Sequence, residues 1–344
     1  MKPEYHQVAL SPKLLHDTAT FIVEKQKSDG SIPWFENGLV DPWTHVENAM
    51  AIDTAGYHSE AAKAYEWLAK TQLSDGSWFA SYEDGKPKDT SKVSHVVSYI
   101  AVGVWHHYLT TKEKPFLKKM WPTVRAAIDF VLGMRGPNGE IYWARDSNDV
   151  IYPETLVTSC SSTYLSLKSA LCISSIMEED KIAWKQAAIE LARAIRSMPC
   201  PTEEATNHRS CFAMDWYYPV MCAAVNGDDA RKRISQGWKK FVVEGFGSLC
   251  SLEQNWVTAA ETSELALALA VQGDYGLAAT VFNWLQQMRD SDGAYWYGIA
   301  LPHKEIWPEE KPTWTSAAVM LAADMLQHMS ATSFVLDHHR PTVL

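Results

Sequence analysis

The sequence predicts an all-α protein, a single (α/α)6 toroid of six helical hairpins spanning residues 1–344. Apolar residues recur at helical spacing through most of the chain, whereas the period-two alternation of strands is nearly absent. Amphipathic helices alternate with helices that carry few charges. A turn motif also recurs at the ends of amphipathic helices. The core of the toroid is expected over 11–329, and residues 330–344 are expected to form a C-terminal tail.

Six amphipathic helices are predicted to form the outer ring. In the third, Phe116, Met120 and Val124 recur every four residues between charged side chains, which gives an apolar stripe with a solvated back. The predicted outer helices are 11–27, 59–73, 115–134, 181–197, 230–244 and 275–289.

Six further helices are small, apolar and poorly charged, and they are predicted to form the inner ring. Alanine-rich runs such as ELALALAV, at 264–271, allow helices to pack closely. A helix facing solvent would carry more charge. The predicted inner helices are 44–55, 93–109, 155–176, 214–225, 257–271 and 315–326.

The connections between these helices differ in length. Links from an inner to an outer helix are often short, whereas the reverse links, such as 28–43 and 290–314, are mostly long. Long loops inside a compact domain tend to carry function. The functional end of the toroid is therefore expected where the inner helices begin.

The recurring turn is best seen at 64–78, AYEWLAKTQLSDGSW, with looser copies at 21–34, 130–143 and 284–296. The Asp-Gly pair favours a tight turn, and the Gln and Trp can complete hydrogen bonds and cover the turn. This motif resembles the QW repeat of triterpene cyclases and is similar to turns of protein prenyltransferase β subunits. In the last two copies Arg135 and Arg289 replace the Gln. The resemblance implies a toroid of that superfamily and an isoprenoid substrate.

The catalytic signatures of those enzymes are absent from the sequence. No D-x-D-D or D-D-x-x-D string occurs, and the D-x-C zinc motif of the prenyltransferases is missing. H-E-x-x-H, Walker A and G-x-S-x-G are missing too. No cofactor is identifiable and no metal ligand is predicted. The resemblance therefore carries the fold and not a mechanism.

Composition restricts the partners and the compartment. The net charge of −10 argues against nucleic acid, because phosphate binding needs a basic face. No run of about 18 apolar residues predicts a transmembrane segment, and the N-terminus lacks the apolar region of a secretory signal. The six cysteines are scattered without a C-x-x-C pair, which is typical of buried thiols in a reducing compartment. A cytoplasmic protein with a small-molecule substrate is expected.

Acidic residues near the starts of the inner helices are the candidate catalytic groups. Asp215 lies between apolar neighbours, and Glu261 lies in a helix that should be buried, where a charged carboxylate needs a partner or a solvated cavity. Asp41 precedes Pro42 and could equally be a helix N-cap. The candidate catalytic residues are Asp215, Glu261, Asp41, Glu47 and Glu154.

Aromatic and polar side chains in the same regions are candidates for substrate binding. His45 and Glu47 are two residues apart on a helix, diverge by about 200°, and so cannot both face one ligand well. The candidate binding residues are Trp34, Trp43, His45, His95, Tyr99, Trp216, Tyr217, Trp256, Trp307, Glu310 and Trp314.

Three functions are compatible with this constellation. In the leading one, aromatic faces stabilise carbocations of an isoprenoid substrate and a desolvated acid donates the proton. In the alternative, the aromatics stack on sugar rings and two carboxylates hydrolyse or eliminate a glycosidic bond, as in six-hairpin glycosidases. The third is a ligand-binding toroid without catalysis.

Overall fold

Helices account for most of the computed structural model, which describes residues 10–201 and 211–336. Within those ranges the helices, in chain order, are α1 (Pro12–Val23), α2 (Pro42–Thr54), α3 (His58–Thr71), α4 (Ser94–Ser98), α5 (Ile100–Thr111), α6 (Lys114–Leu132), α7 (Val157–Ile176), α8 (Ile182–Ser197), α9 (Met214–Met221), α10 (Gly227–Phe241), α11 (Ala259–Val271), α12 (Tyr275–Trp284), α13 (Thr313–Gln327) and α14 (Thr332–Leu336).

The predicted toroid is confirmed. The inner helices pack in the closed order α2, α5, α7, α9, α11, α13 and back to α2, with the short α4 leading into α5. The outer helices α1, α3, α6, α8, α10 and α12 each pack against neighbouring inner helices. In α11 every residue from Ala259 to Ala270 is buried, whereas α6 buries one side only. The amphipathic helices therefore form the outer ring, and the poorly charged helices form the inner ring.

Short strands, which the sequence pattern did not predict, occur in the long connections. They form four small antiparallel sheets, ordered β1–β2, β3–β4–β5, β6–β7 and β8–β9–β10. The strands are β1 (Ser81–Glu83), β2 (Lys86–Asp89), β3 (Lys92–Val93), β4 (Ala144–Arg145), β5 (Ile151–Tyr152), β6 (Val242–Val243), β7 (Gly247–Ser248), β8 (Trp256–Thr258), β9 (Gly298–Ala300) and β10 (Glu305–Ile306). At two to four residues they are too short to show a period of two.

The predicted C-terminal tail is partly structured. Within 330–344, α14 packs against α5 and α13. The backbone N–H of Thr332 and the Ser330 hydroxyl donate to the Asp324 carboxylate, which holds this turn to the end of α13. Residues 337–344 of the predicted tail, like residues 1–9 of the N-terminus, lie outside the described residues.

The recurring turn joins neighbouring hairpins. Gln72 Nε2 donates to the carbonyl of Gly76 in its own turn at 2.9 Å and to that of Thr123 in α6 at 3.0 Å. Gln26 makes the corresponding two bonds, the second of them to α3. Each turn is thus tied to the next outer helix, as expected of an architectural motif.

The turn glycines lie directly against that next helix. Gly76 has a φ of +91°, and a Cβ there would lie 2.3 Å from the carbonyl oxygen of Ala126 in α6. Gly30 meets α3 in the same way, and Gly293 meets α1, so the last turn closes the ring on the first helix. Only glycine combines the left-handed backbone with this close approach.

Replacing Gly76 by Ala is expected to lower the free energy of unfolding by about 3 kcal/mol, from backbone strain and overpacking together. Gly56→Ala is the matched control, because Gly56 has a φ of +88° and a Cβ added there would meet no atom within 4 Å. It should cost about 1 kcal/mol, from strain alone. Urea unfolding of both variants measures the difference, and equal losses would contradict the role of the close approach.

No helix within 10–201 and 211–336 is long and apolar enough to cross a membrane. None of the six cysteines, all of which lie in the described ranges, forms a disulfide bond.

Candidate functional site

Two adjoining cavities lie at the end of the toroid where the inner helices begin. The first, here called the carboxylate cavity, has a volume of about 210 Å³. The second, here called the apolar chamber, has a volume of about 330 Å³. Trp43 and Met214 line both, so the two cavities lie side by side. The carboxylate cavity is lined by Trp34, Asp41, Trp43, Thr44, Glu47, Met214, Ala260, Glu261, Glu264, Trp314 and Ala318.

Asp41 begins α2 and lines the carboxylate cavity. Its carboxylate accepts hydrogen bonds from the backbone N–H groups of Trp43 and Thr44, at 3.0 and 2.9 Å, as a helix N-cap does. The Trp34 indole donates to it at 2.6 Å, and the Thr44 hydroxyl donates to it as well. Burial raises the pKa of Asp41, although these donors act in the opposite direction. Asp41 therefore both caps α2 and holds Trp34 and Thr44 in place.

Glu47 lies farther along α2, at the bottom of the carboxylate cavity. Among the described residues its carboxyl group has no hydrogen-bond or ion-pair partner. Burial raises its pKa well above the ordinary value, and the charges of Glu264 and Asp41 raise it further. The raised pKa favours the protonated form of Glu47, and its carboxyl group is not committed to another described protein group.

Glu264 lies beside Glu47, on α11. It accepts hydrogen bonds from the hydroxyls of Tyr217 and Tyr218, the second at 2.6 Å. Burial raises the pKa of Glu264 to about 8, with a further contribution from Glu261, while the two tyrosine donors oppose the rise. Glu264 is therefore held by two hydrogen-bond donors, whereas Glu47 is not.

Glu261 lies one turn before Glu264, in the first turn of α11. The Thr258 hydroxyl donates a hydrogen bond to its carboxylate. The N-terminal turn of a helix stabilises negative charge. Two carboxyl groups in one cavity thus have opposite environments: a helix N-terminus for Glu261 and an unpartnered, buried position for Glu47.

The apolar chamber is lined mostly by carbon. Its walls are Trp43, Trp143, Leu156, Phe212 and Met214, with polar groups from His95, Thr158, Ser159 and Asp215. His95 Nδ1 and Ser159 Oγ are 2.9 Å apart, and burial lowers the pKa of His95 to about 4. The imidazole is therefore neutral and can hydrogen-bond a neutral ligand.

Asp215 has a structural task in the apolar chamber. Its carboxylate accepts hydrogen bonds from the backbone N–H and the hydroxyl of Thr158, at 2.9 and 2.6 Å. Thr158 lies in the first turn of α7, so Asp215, from α9, caps a neighbouring helix. Burial raises its pKa against these hydrogen bonds.

A third, much smaller cavity of about 30 Å³ lies below Glu47 and Glu264. Tyr99, predicted as a binding residue, lines this cavity and not the two above it. Thr332 and Leu336 of α14 line its far side. The C-terminal helix therefore covers the toroid on the side opposite the open end.

Several residues predicted to bind substrate line neither large cavity. His45 is fully buried between the carbonyl of Ala64 and the backbone N–H of Ile32, because it points away from Glu47 on α2. Trp216 donates to the carbonyl of Arg233 and stacks on Phe241. Both side chains hold helices together.

The other predicted residues outside the two cavities are of three kinds. Tyr217 acts through its hydrogen bond to Glu264. Glu154, predicted as catalytic, lies in an exposed loop, where it accepts a bond from the Trp143 indole at 3.1 Å. Trp256, Trp307 and Glu310 lie in the strands and loops between α11 and α13.

The structure adds lining residues that were not among the candidates. Glu264 was expected at the open end but not as a catalytic or binding group. Met214, Trp143, Leu156 and Phe212 carry no chemical signal in sequence, because apolar residues of a core and of a cavity look alike. Glu264 could have been found from its position three residues after Glu261 on a buried helix.

The site suits acid–base chemistry on an uncharged ligand. A carboxyl group with a raised pKa, Glu47, and a second carboxyl group at a helix N-terminus, Glu261, share one cavity. Aromatic rings from Trp34, Trp43 and Trp314 surround them. Among the described residues, no group of three or more His, Cys, Asp or Glu side chains is arranged to hold a metal ion.

The chain is similar to known carbohydrate-active proteins. The MMP endo-(1,4)-3-O-methyl-α-D-mannosidase of Mycolicibacterium hassiacum is 43% identical over 317 residues, covering 92% of this chain and 87% of that protein. An uncharacterized glycosyl hydrolase of Methanocaldococcus jannaschii is 27% identical over 84 residues, covering 24% of this chain and 14% of that protein. No protein-family model matches the chain.

Solved structures share the toroid at low sequence identity. A glycosidase variant in complex with glucose superposes with a TM-score of 0.71 at 16% identity, covering 92% of this chain and 96% of that one. A D-mannose isomerase also gives 0.71, at 12% identity and the same coverage. The GH63 mannosylglycerate hydrolase from Thermus thermophilus gives 0.70 at 10% identity, covering 89% and 99%.

These relatives decide between the predicted classes. The resemblance to terpene cyclases and prenyltransferases extends to the toroid alone, and an isoprenoid substrate is not supported. The carbohydrate-active alternative is supported by the similarity to the mannosidase over nine-tenths of the chain. This chain belongs to the glycosidase family of the Mycolicibacterium hassiacum mannosidase.

Proposed function

We propose that this protein hydrolyses α-1,4 linkages within chains of 3-O-methylmannose. The observation that carries the proposal is the pairing of the carboxylate cavity with the apolar chamber, which share Trp43 and Met214. The first offers the acid and base of a glycosidase, and the second offers an apolar surface beside them. The 43% identical relative is named for this substrate.

Glu47 is the proposed general acid. A glycosidase acid must carry a proton at working pH and give it to the departing glycosidic oxygen. Burial and the neighbouring charges of Glu264 and Asp41 keep the pKa of Glu47 well above its ordinary value. Because no described residue binds its carboxyl group, the proton is available to a substrate. Asp41, by contrast, already has four hydrogen-bond donors.

Glu261 is the proposed second carboxylate. Whether hydrolysis inverts or retains the anomeric configuration, an ionised carboxylate acts at the anomeric carbon, through water or directly. Glu261 lies in the first turn of α11, where the helix dipole stabilises its charge. It faces the same cavity as Glu47 from another inner helix.

The apolar chamber fits a methylated sugar. A 3-O-methyl group replaces a hydrogen-bond donor by apolar surface. Transfer of that surface out of water is favourable. Trp143, Leu156 and Phe212 provide that surface, and neutral His95 can bond a remaining hydroxyl. An unmethylated mannan would leave its polar hydroxyl against carbon, which is unfavourable.

The test is a comparison of two substrates. Purified protein is expected to cleave α-1,4-linked oligosaccharides of 3-O-methylmannose internally, releasing shorter oligosaccharides. It is expected to hydrolyse the unmethylated oligomannoside at least about fivefold less efficiently, since one buried methyl group contributes about 1 kcal/mol or more. Product sizes are followed by mass spectrometry and kcat/KM is compared. Equal efficiency on both substrates would contradict the assignment of the chamber, and no cleavage of either would contradict the proposed function.

A further inference from the structure

Four aromatic rings continue from the carboxylate cavity towards the rim of the toroid. They are Trp314, Tyr297, Trp256 and Trp307, here called the aromatic track. Successive ring centroids lie 5.1, 4.8 and 5.2 Å apart. Trp314 lines the carboxylate cavity, and Trp307, at the other end, is 53% exposed. The track therefore connects the site to solvent through aromatic surface.

The three-stranded sheet fixes the track. Trp256 begins β8, Tyr297 immediately precedes β9, and Trp307 immediately follows β10. The Trp256 indole donates to the carbonyl of Trp307 at 2.6 Å. A Cβ on Gly298 would lie 2.5 Å from Trp256 Nε1, so the glycine leaves room for that ring. The rings are thus held by strands and not by a loop alone.

The track is continuous with the proposed catalytic groups. Strand β8 leads directly into α11, so Glu261 follows Trp256 by five residues. The carbonyl of Tyr297 accepts a hydrogen bond from the backbone N–H of Ala259, the first residue of α11. Burial raises the pKa of Tyr297, and the nearby Glu261 carboxylate contributes to the rise.

The track and the apolar chamber lie on opposite sides of the ring. The chamber is built at the starts of α4, α7 and α9, whereas the track lies between α11 and α13. In the closed order of inner helices, α7 faces α13 and α5 faces α11. A chain bound in the apolar chamber and running past Glu47 and Glu261 would leave the site along the track.

We propose that the aromatic track binds successive sugar rings of the glycan chain, on the side of the cleaved bond opposite the apolar chamber. This inference rests on the proposed function and gives its internal cleavage a physical basis. Apolar faces of methylated sugar rings match aromatic faces. The ring of Trp307 is half exposed and so has surface available to a ligand.

The experiment measures binding against chain length. In the Glu47→Gln, Glu261→Gln double variant, calorimetry gives Kd for a disaccharide and an octasaccharide of α-1,4-linked 3-O-methylmannose. Adding Trp307→Ala is expected to weaken octasaccharide binding about tenfold, as for an aromatic contact of middling strength. The disaccharide should be unaffected. Trp307→Phe should restore most of the loss, and Ile182→Ala, at a position 72% exposed on α8, should have no effect.

In the otherwise unaltered enzyme, Trp307→Ala should raise KM for the octasaccharide by a similar factor and leave kcat unchanged. Octasaccharide binding or KM that is insensitive to Trp307→Ala would overturn the track while leaving the proposed function intact. Weaker octasaccharide binding in the variant, with no hydrolysis by the unaltered protein, would support the track and overturn the proposed function. Binding of neither oligosaccharide would overturn both.

Discussion

Glu47→Gln is expected to reduce kcat on 3-O-methylmannose oligosaccharides by about 10²–10⁴-fold, the usual contribution of a general acid. Glutamine keeps the shape of the side chain but has no acidic proton for the departing oxygen. Glu261→Gln should reduce kcat at least as strongly, because it removes the charge that acts at the anomeric carbon. Glu113→Gln, on the exposed surface, is the control and should leave kcat unchanged.

A substrate with a better leaving group separates the two roles. In an aryl mannoside made from an acidic phenol, the phenolate leaves without needing a proton. The Glu47→Gln variant should therefore hydrolyse this substrate at close to the rate of the unaltered enzyme. Glu261→Gln should stay slow on both substrates. Initial rates on the aryl glycoside and the natural linkage give the comparison. If the aryl glycoside rescues Glu261→Gln and not Glu47→Gln, the two assignments are reversed.

Stability provides an independent check on the same variant. Because the pKa of Glu47 is raised in the folded protein, the folded state binds more protons than the unfolded one and stability falls as pH rises. This penalty begins above the unfolded pKa of the carboxyl group and disappears when glutamine replaces it. Glu47→Gln should therefore melt no lower than the unaltered protein at neutral pH. A large decrease in Tm would indicate that Glu47 supports the fold.

The toroid could be predicted because its signals are local. Charge on the outer helices and its near absence on α11 follow from which face each helix exposes. The turn motif is repeated because Gln72 and Gly76 must meet the next hairpin. The same motif misdirected the expected substrate, since those contacts serve the architecture alone. A shared way of closing a toroid carries no information about the ligand inside it.

Residues of the site could be predicted only where their position in the sequence places them at the start of an inner helix. Asp41, before a proline, reaches the start of α2 and hence the open end, and Glu261 reaches the start of α11. The angle between His45 and Glu47 correctly implied that one of them must face away. Which one does so depends on Ala64 and other groups from distant parts of the chain. The apolar chamber, assembled from three helix starts, depends wholly on such tertiary contacts.

Glu264→Gln is expected to move the alkaline limb of the pH profile of kcat/KM to lower pH. If Glu47 is the general acid, the unaltered enzyme should lose activity as pH rises through the pKa of Glu47, because the acid then has no proton to donate. The negative charge of Glu264 is the second cause, after burial, of that raised pKa. Neutral glutamine removes the charge, so Glu47 loses its proton at lower pH and the enzyme loses activity sooner.

The acid side of the profile should respond differently. At pH values where Glu47 is protonated in both proteins, Glu264→Gln should retain most of its rate, because Glu264 is occupied by Tyr217 and Tyr218 and does not carry the transferred proton. The measurement is kcat/KM across the pH range for three proteins: the unaltered enzyme, Glu264→Gln and the control Glu113→Gln. An alkaline limb that stays in place, or moves upward, would mean that Glu47 is not the proton donor and that its unpartnered carboxyl group requires another explanation.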